Sequence, residues 1–120
     1  MKDPQDLIKD AETILSEGNW EAASKILVRV ISQIGEDPKD KGSKKVLSQA
    51  LRLKAFADSR RGEHKAAIHG AKKAMNLSKE IEDLEGEADA LRRLGYIYWQ
   101  KADYPLPSIY HPLWDNLDLL

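Results

Sequence analysis

The chain has 120 residues, of which 42% are hydrophobic and 32% are charged. This balance is typical of one globular domain rather than of a disordered segment. Lys and Arg contribute 19 positive charges against 20 negative charges from Asp and Glu, and the formal charge of −1 gives no general signature of polyanion binding. Because the chain contains no cysteine, disulfides, thiolate catalysis and cysteine-based zinc sites are excluded.

The sequence contains no targeting or membrane-spanning segment that we can identify. Its N-terminus, MKDPQD, has no apolar core of a signal peptide. No apolar run approaches the roughly 20 residues that a helix needs to cross a bilayer. We therefore expect a cytoplasmic protein that does not enter a membrane, on the default that an unaddressed chain stays where it is made.

The hydrophobic periodicity predicts an all-α fold of about five helices. Asp3 and Asn19 are the residue types that cap helix N-termini, and Gly18 and Gly62 are the type that ends helices in a left-handed conformation. No sustained alternation of apolar and polar residues indicates a strand. We predict helices from Pro4 to about Gly18, from about Trp20 to Ile34, from near Ser43 to about Arg61, from about His64 to Ile81, and from a break or bend at Gly86 to about Lys101.

Two tight turns share a pattern that indicates internal repeats. Glu17–Ala23 reads EGNWEAA and Arg61–Ala67 reads RGEHKAA, with their glycines 44 residues apart. A further step of 40 residues reaches KADYPLP at Lys101–Pro107. The repeating unit is therefore a helical hairpin, present about two and a half times. Positions that coincide under these offsets are Leu7, Leu51 and Leu91, and Ala11, Ala55 and Gly95.

These residues resemble the tetratricopeptide repeat (TPR) family. The first-helix pattern of that family appears as Leu91-x2-Leu94-Gly95-x2-Tyr98, and the second-helix pattern appears more weakly as Ala23-x3-Leu27 and Ala67-x3-Ala71. The resemblance covers roughly residues 4–104. It implies a right-handed superhelix of antiparallel hairpins, here with degenerate repeats longer than the usual 34 residues. It also implies a binding module whose first helices line a concave groove, with no chemistry of its own.

The third repeat lacks a normal second helix. Pro107 stands where the other units have Ala23 and Ala67, and a proline inside a helix costs about 3 kcal/mol or more. We predict an extended stretch followed by a short helix from Pro112, with Leu113, Trp114, Leu117 and Leu120 mostly on one side. The chain thus divides into a repeat domain at 1–104 and a C-terminal tail at 105–120. The tail either caps the last helix or docks in a groove of its own or of a neighbouring chain.

The predicted groove combines arginines with aromatic side chains on the third and fifth helices. An offset of 40 residues places Arg52 level with Arg92 and Phe56 level with Tyr96, and the first helix continues this face weakly. Such a surface suits a ligand with acidic and apolar side chains. The other interpretation is that the aromatic residues are core and the arginines form a solvated face. The predicted binding residues are Arg52, Leu53, Phe56, Arg60, Arg92, Arg93, Tyr96 and Trp99.

The sequence therefore predicts a non-enzymatic module that binds a protein or peptide partner. One alternative is a self-association module, in which the tail occupies its own groove or that of a neighbouring chain; the second case would build a homo-oligomer. Another is single-stranded RNA binding between aromatic and arginine side chains, although the near-zero net charge argues against nucleic acid. We predict no catalytic residue, cofactor or metal, because His64 and His69 diverge around a helix and no phosphate-binding loop or Ser/His/Asp arrangement is present.

Overall fold

The computed structural model describes the backbone of residues 2–102 and the side chains of residues 2–100. This part of the chain is all-helical and contains no strand, as the sequence predicts. None of its helices is both long enough and apolar enough to cross a membrane. The predicted tail at 105–120, with its short helix, lies outside the described residues. The five helices are α1 (Pro4–Ser16), α2 (Trp20–Ile34), α3 (Lys41–Arg60), α4 (His64–Glu80) and α5 (Leu84–Ala102).

Side-chain caps fix where the first three helices begin. Asp3 and Asn19 cap α1 and α2 as predicted, each accepting a hydrogen bond from the backbone N–H three residues further on. α3 begins at Lys41 rather than near Ser43, because the Asp40 carboxylate accepts a hydrogen bond of 2.8 Å from the Ser43 N–H. The hydrogen bond lowers the pKa of Asp40, as expected for a capping carboxylate.

The prediction of a break at Gly86 is wrong. α5 already begins at Leu84, and the turn before it is made by Glu82, whose φ of 57° is left-handed. A Cβ at position 86 would lie 2.5 Å from Asp83 Oδ2 and 2.6 Å from Ser78 Oγ. Glycine is needed at this position because the end of α4 approaches the first turn of α5 closely, and not because the helix stops.

The helices form two layers. Consecutive helices pack antiparallel across short turns, as the contacts between α3 and α4 illustrate. The Ser48 hydroxyl donates a hydrogen bond of 3.0 Å to the Ala74 carbonyl, while a Cβ on Gly70 would lie 4.0 Å from Ala55 Cβ at the other end of the contact. α1 also packs on α3 and α3 on α5, whereas α2 and α4 do not pack on each other. Thus α1, α3 and α5 form one layer, and α2 and α4 form the other.

Small side chains dominate the core between α3, α4 and α5. Ala55, Ala67 and Ala71 surround Ile97, and all four side chains are buried. The two hydroxyls of Ser48 and Ser78 lie 2.8 Å apart in the same buried contact. Small residues let the helix axes approach closely, so longer side chains project from the outer faces of the layers.

Replacing Ala55 with Leu should lower the free energy of unfolding by about 1–3 kcal/mol, because the added carbons overpack the contact between α3 and α4. Urea denaturation measures the change. Ala66→Leu is the matched control, since Ala66 is an exposed position of α4 and its substitution should change stability by no more than about 0.5 kcal/mol. Identical urea midpoints for Ala55→Leu and the parent chain would contradict this packing.

Candidate functional site

The predicted groove residues lie on the layer of α1, α3 and α5, where they line two neighbouring clefts. The Phe56 cleft has a volume of about 450 Å³ and is lined by Glu12, Leu15, Ser16, Trp20, Leu53, Phe56, Arg92 and Arg93. The Trp99 cleft has a volume of about 380 Å³ and is lined by Ser59, Arg60, Gly62, His64, Tyr96, Trp99 and Gln100. Of the predicted binding residues, only Arg52 lines neither cleft.

α3 and α5 lie side by side, but their residues pair differently from the predicted level pairs. We expected Arg52 beside Arg92 and Phe56 beside Tyr96, at an offset of 40 residues. The observed partners are 36 or 37 residues apart, so α5 is shifted along α3 by about one helical turn relative to that expectation. The observed pairs are Arg52 with Asp89, Phe56 with Arg93, and Arg60 with Tyr96.

Three arginines converge on the carboxylate of Asp89. Arg52 reaches Asp89 Oδ2 from α3 at 3.0 Å, and Arg93 reaches the same oxygen from α5 at 2.9 Å. Arg92 donates to Oδ1 at 2.6 Å. All four side chains are largely buried: 14% of Arg52, 29% of Arg92, 19% of Arg93 and 21% of Asp89 are exposed. We call these four residues the Asp89 cluster; it carries a net charge of +2.

The arginines control the protonation of Asp89. Burial alone would raise the pKa of this carboxyl group. The charge of Arg93, hydrogen bonds from Arg93 and Arg92, and the charge of Arg52 outweigh burial and hold the pKa below the usual aspartate range. The cluster is therefore fully ionised at neutral pH, and its stabilisation depends on pH.

Aromatic rings and arginines alternate across the Phe56 cleft. Trp20, at the start of α2, packs edge-on against Phe56 with ring centroids 5.5 Å apart. The guanidinium carbon of Arg93 lies 5.5 Å from the centre of the Phe56 ring, and that of Arg60 lies 5.1 Å from the centre of the Trp20 ring. These distances are typical of cation–π contacts. Arg93 thus covers a ring inside the Phe56 cleft, while Arg60, which lines the neighbouring Trp99 cleft, covers the Trp20 ring.

The Trp99 cleft contains two polar atoms without a hydrogen-bond partner. Tyr96 and Trp99 pack with ring centroids 5.5 Å apart, and the Tyr96 hydroxyl accepts hydrogen bonds of 3.4 Å from Arg60 and Gln100. Trp99 Nε1 and Gln100 Oε1 are buried yet have no partner in the part of the chain that the structure describes. Trp99 Nε1–H is a hydrogen-bond donor and Gln100 Oε1 is an acceptor. A peptide group carries the complementary pair, a C=O acceptor and an N–H donor.

A second charge cluster, behind the groove, is structural. Asp58 is 2% exposed and accepts hydrogen bonds from the Ser24 hydroxyl at 3.2 Å and from Lys54 at 2.7 Å. Arg61 adds a longer contact of 3.5 Å. Because Ser24 belongs to α2 and Asp58 to α3, this carboxylate joins the two layers, one helical turn beyond Trp20 on α2. A buried carboxylate with three hydrogen-bond partners is satisfied and is not available to bind a ligand.

Sequence reasoning missed two features of this site. Trp20 completes the Phe56 cleft although it belongs to α2, a helix of the second layer. Its position directly after the Asn19 cap, at the start of α2, was the sequence feature that could have indicated this. The ion pairing of Arg52 and Arg93 with Asp89 was also missed. In a helix, an aspartate three and four residues before arginines indicates such pairs, and Asp89 stands at that spacing before Arg92 and Arg93.

Comparison with known proteins does not assign this chain to a family. A scan against protein-family models finds no match, and searches of curated proteins and of solved structures find none either. Within the described residues, no group of three His, Cys, Asp or Glu side chains is placed to hold a metal ion. The interpretation of the site therefore rests on its own geometry.

Asp89→Asn should destabilise the chain by about 1–3 kcal/mol, because it removes a charge that three largely buried arginines share. Urea denaturation at neutral pH measures the loss. The control is Asp37→Asn, whose exposed ion pair with Lys39 should leave the urea midpoint unchanged. Equal midpoints for Asp89→Asn and the parent would show that the Asp89 cluster does not hold α5 on α3.

The same variant should alter the acid sensitivity of folding. A carboxylate whose pKa is lowered by folding stabilises the protein above its unfolded pKa of about 3.9 and loses that contribution as the pH falls through the lower, folded pKa. The stability difference between the parent and Asp89→Asn should thus stay constant near neutral pH and shrink below about pH 4. A difference that grew with acidification would contradict the lowered pKa.

Proposed function

We propose that this chain is a TPR-like protein-interaction module that binds a peptide or helix with acidic and apolar side chains along the layer of α1, α3 and α5. The observation that carries the proposal is the pair of adjacent clefts on that layer, each lined by arginine and aromatic side chains. Tryptophan, tyrosine and arginine are the residues that contribute most often to the binding energy of protein interfaces. The proposal assigns no catalytic step to the chain.

The charge of this layer favours an acidic ligand. In the described part of the chain, four arginines lie along it; Glu12 is the carboxylate that lines a cleft with them, and Asp89 pairs with three of the four. The Asp89 cluster retains a net positive charge even after its internal ion pairs are counted. An aspartate or glutamate side chain entering the Phe56 cleft would therefore meet Arg92 and Arg93 on one wall, and guanidinium groups pair carboxylates with well-defined geometry.

The polar atoms of the Trp99 cleft favour a peptide over a small anion. Among the described residues, Trp99 Nε1 lacks an acceptor and Gln100 Oε1 lacks a donor, and buried polar groups in folded proteins are nearly always satisfied. A peptide carbonyl accepts from an indole N–H, and a peptide N–H donates to an amide oxygen. A main chain that reached both atoms would satisfy them, whereas a carboxylate or phosphate supplies acceptors only.

The two-layer arrangement supports the TPR-like superhelix that the repeat pattern predicts. First helices that pack on one another while second helices stay apart produce a curved array with its groove on the first-helix side. On this proposal α1, α3 and α5, which pack in that order, would be the first helices of about two and a half units. Their repeats are longer than those of typical members of the family, in line with helices of 20 and 19 residues at α3 and α5.

The test is a binding measurement on the full chain with a library of ten-residue peptides in which Asp or Glu alternates with Leu, Ile or Trp. Arg60→Gln and Arg92→Gln should each weaken the best binder about 5- to 10-fold, an effect of roughly 1–1.4 kcal/mol. Both variants leave Arg52 and Arg93 on Asp89, so helicity and melting should stay near those of the parent. Arg29→Gln is the matched control, since Arg29 is exposed on α2 and lines neither cleft.

Two results would contradict the proposal. One is an equal loss of affinity in Arg29→Gln, which would reduce the interaction to general charge attraction. The other is preferential binding of single-stranded oligouridine with a steep dependence on salt, which would indicate that phosphates are neutralised and that the layer binds nucleic acid.

A further inference from the structure

α5 carries an apolar stripe that no other described helix covers. Its members follow one another at alternating steps of four and three residues, the spacing at which one helix packs on another. Leu84, Leu91 and Tyr98 are 78%, 51% and 43% exposed, respectively. α4 packs on a different face of α5, through the buried residues Ala90 and Ile97. We call this feature the α5 stripe; its members are Leu84, Ala88, Leu91, Gly95 and Tyr98.

The equivalent stripe on α3 shows what such a surface accommodates. Leu51 and Ala55 stand 40 residues before Leu91 and Gly95, and both are buried. The helix that buries them is α4, the segment that directly follows α3: a Cβ on Gly70 would lie 3.6 Å from the Leu51 carbonyl. The α5 stripe thus has the pattern of a surface that receives the next segment of the chain.

We propose that residues 112–120 of the C-terminal tail pack on the α5 stripe and cap the helical array. Residues 103–111 provide a connector of nine residues, which spans up to about 30 Å when extended. Ala102, where α5 ends, lies about 17 Å along the helix axis from Leu91. The connector is therefore long enough to bring residue 112 and those after it back along α5.

The composition of the tail fits this surface. Leu113, Leu117 and Leu120 follow one another at steps of four and three residues, the same spacing as the α5 stripe. Residues 103–120 contain three Asp and no Lys or Arg. On a helix that faces the stripe with these leucines, Asp115 and Asp118 fall on the opposite side, so the segment has the amphipathic pattern of a helix that covers an apolar surface.

Cysteine cross-linking tests this placement on the full chain, because no native cysteine competes with an introduced pair. Leu91→Cys combined with Leu117→Cys should oxidise in dilute solution to a disulfide within one chain, seen as a monomeric band of raised mobility. Two matched pairs are the controls, each combining Leu117→Cys with Phe56→Cys in the groove or with Lys72→Cys on the exposed face of α4. Their yields should be at least five-fold lower.

Two cross-linking outcomes would overturn the proposal. A disulfide that forms as well with Phe56→Cys would place the tail in the groove. Covalent dimers as the main product of the Leu91 and Leu117 pair would show that a second copy covers the α5 stripe. Neither outcome bears on peptide binding by the groove, which the library measurement tests separately.

A thermodynamic measurement checks the same contact without cross-links. Leu91→Ser and Leu117→Ser should each lower the urea midpoint, and the double variant should lose less than the sum of the two, because both remove one shared contact. Val28→Ser is the control for Leu91, since Val28 is exposed on α2 to a similar extent, at 46%. Strictly additive losses for the Leu91 and Leu117 substitutions would overturn the proposed packing.

Discussion

One carboxylate joins α5 to α3. Arg52, Arg92 and Arg93 project toward the same contact, and their mutual repulsion would drive the two helices apart without a counter-charge. Asp89 provides that charge, with a distance of 3.0 Å to Arg52 across the helix contact. Because α3 and α5 supply most of the groove, the ion-pair cluster contributes to the shape of both clefts. It also provides Arg92 and Arg93 to the Phe56 cleft, whereas the arginine of the Trp99 cleft is Arg60.

The groove and the core lie on opposite sides of the same helices. Alanine and serine side chains between α3, α4 and α5 let the helix axes approach closely, while arginine and aromatic side chains of the first layer line the clefts. Trp20 closes the Phe56 cleft from α2. One turn further along α2, the Ser24 hydroxyl donates to the buried carboxylate of Asp58 and joins α2 to α3. The contacts that hold the helices together therefore also position the side chains of the groove.

The sequence predicts local features well and relative placement poorly. The caps Asp3 and Asn19 act through residues three positions away, so helix starts follow from short patterns. Gly86 resembles a helix breaker in sequence, yet a close approach to Ser78, eight residues earlier, explains the glycine. The position of α5 along α3 depends on packing among three helices. The 40-residue offset between repeats in the sequence does not determine it. The groove residues could therefore be predicted, whereas their pairing with Asp89 could not.

The central claim is that the clefts of the first layer are the binding surface, and the tryptophan indoles test it most directly. The chain has three tryptophans, so its nitrogen–proton NMR spectrum should contain three indole signals that can be followed while the best acidic-apolar peptide is added. The signals of Trp20 and Trp99 should shift with a common saturation curve, because both residues line the clefts. The larger change is expected at Trp99, whose N–H has no acceptor among the described residues. Saturating binding that leaves both signals unmoved would contradict the central claim.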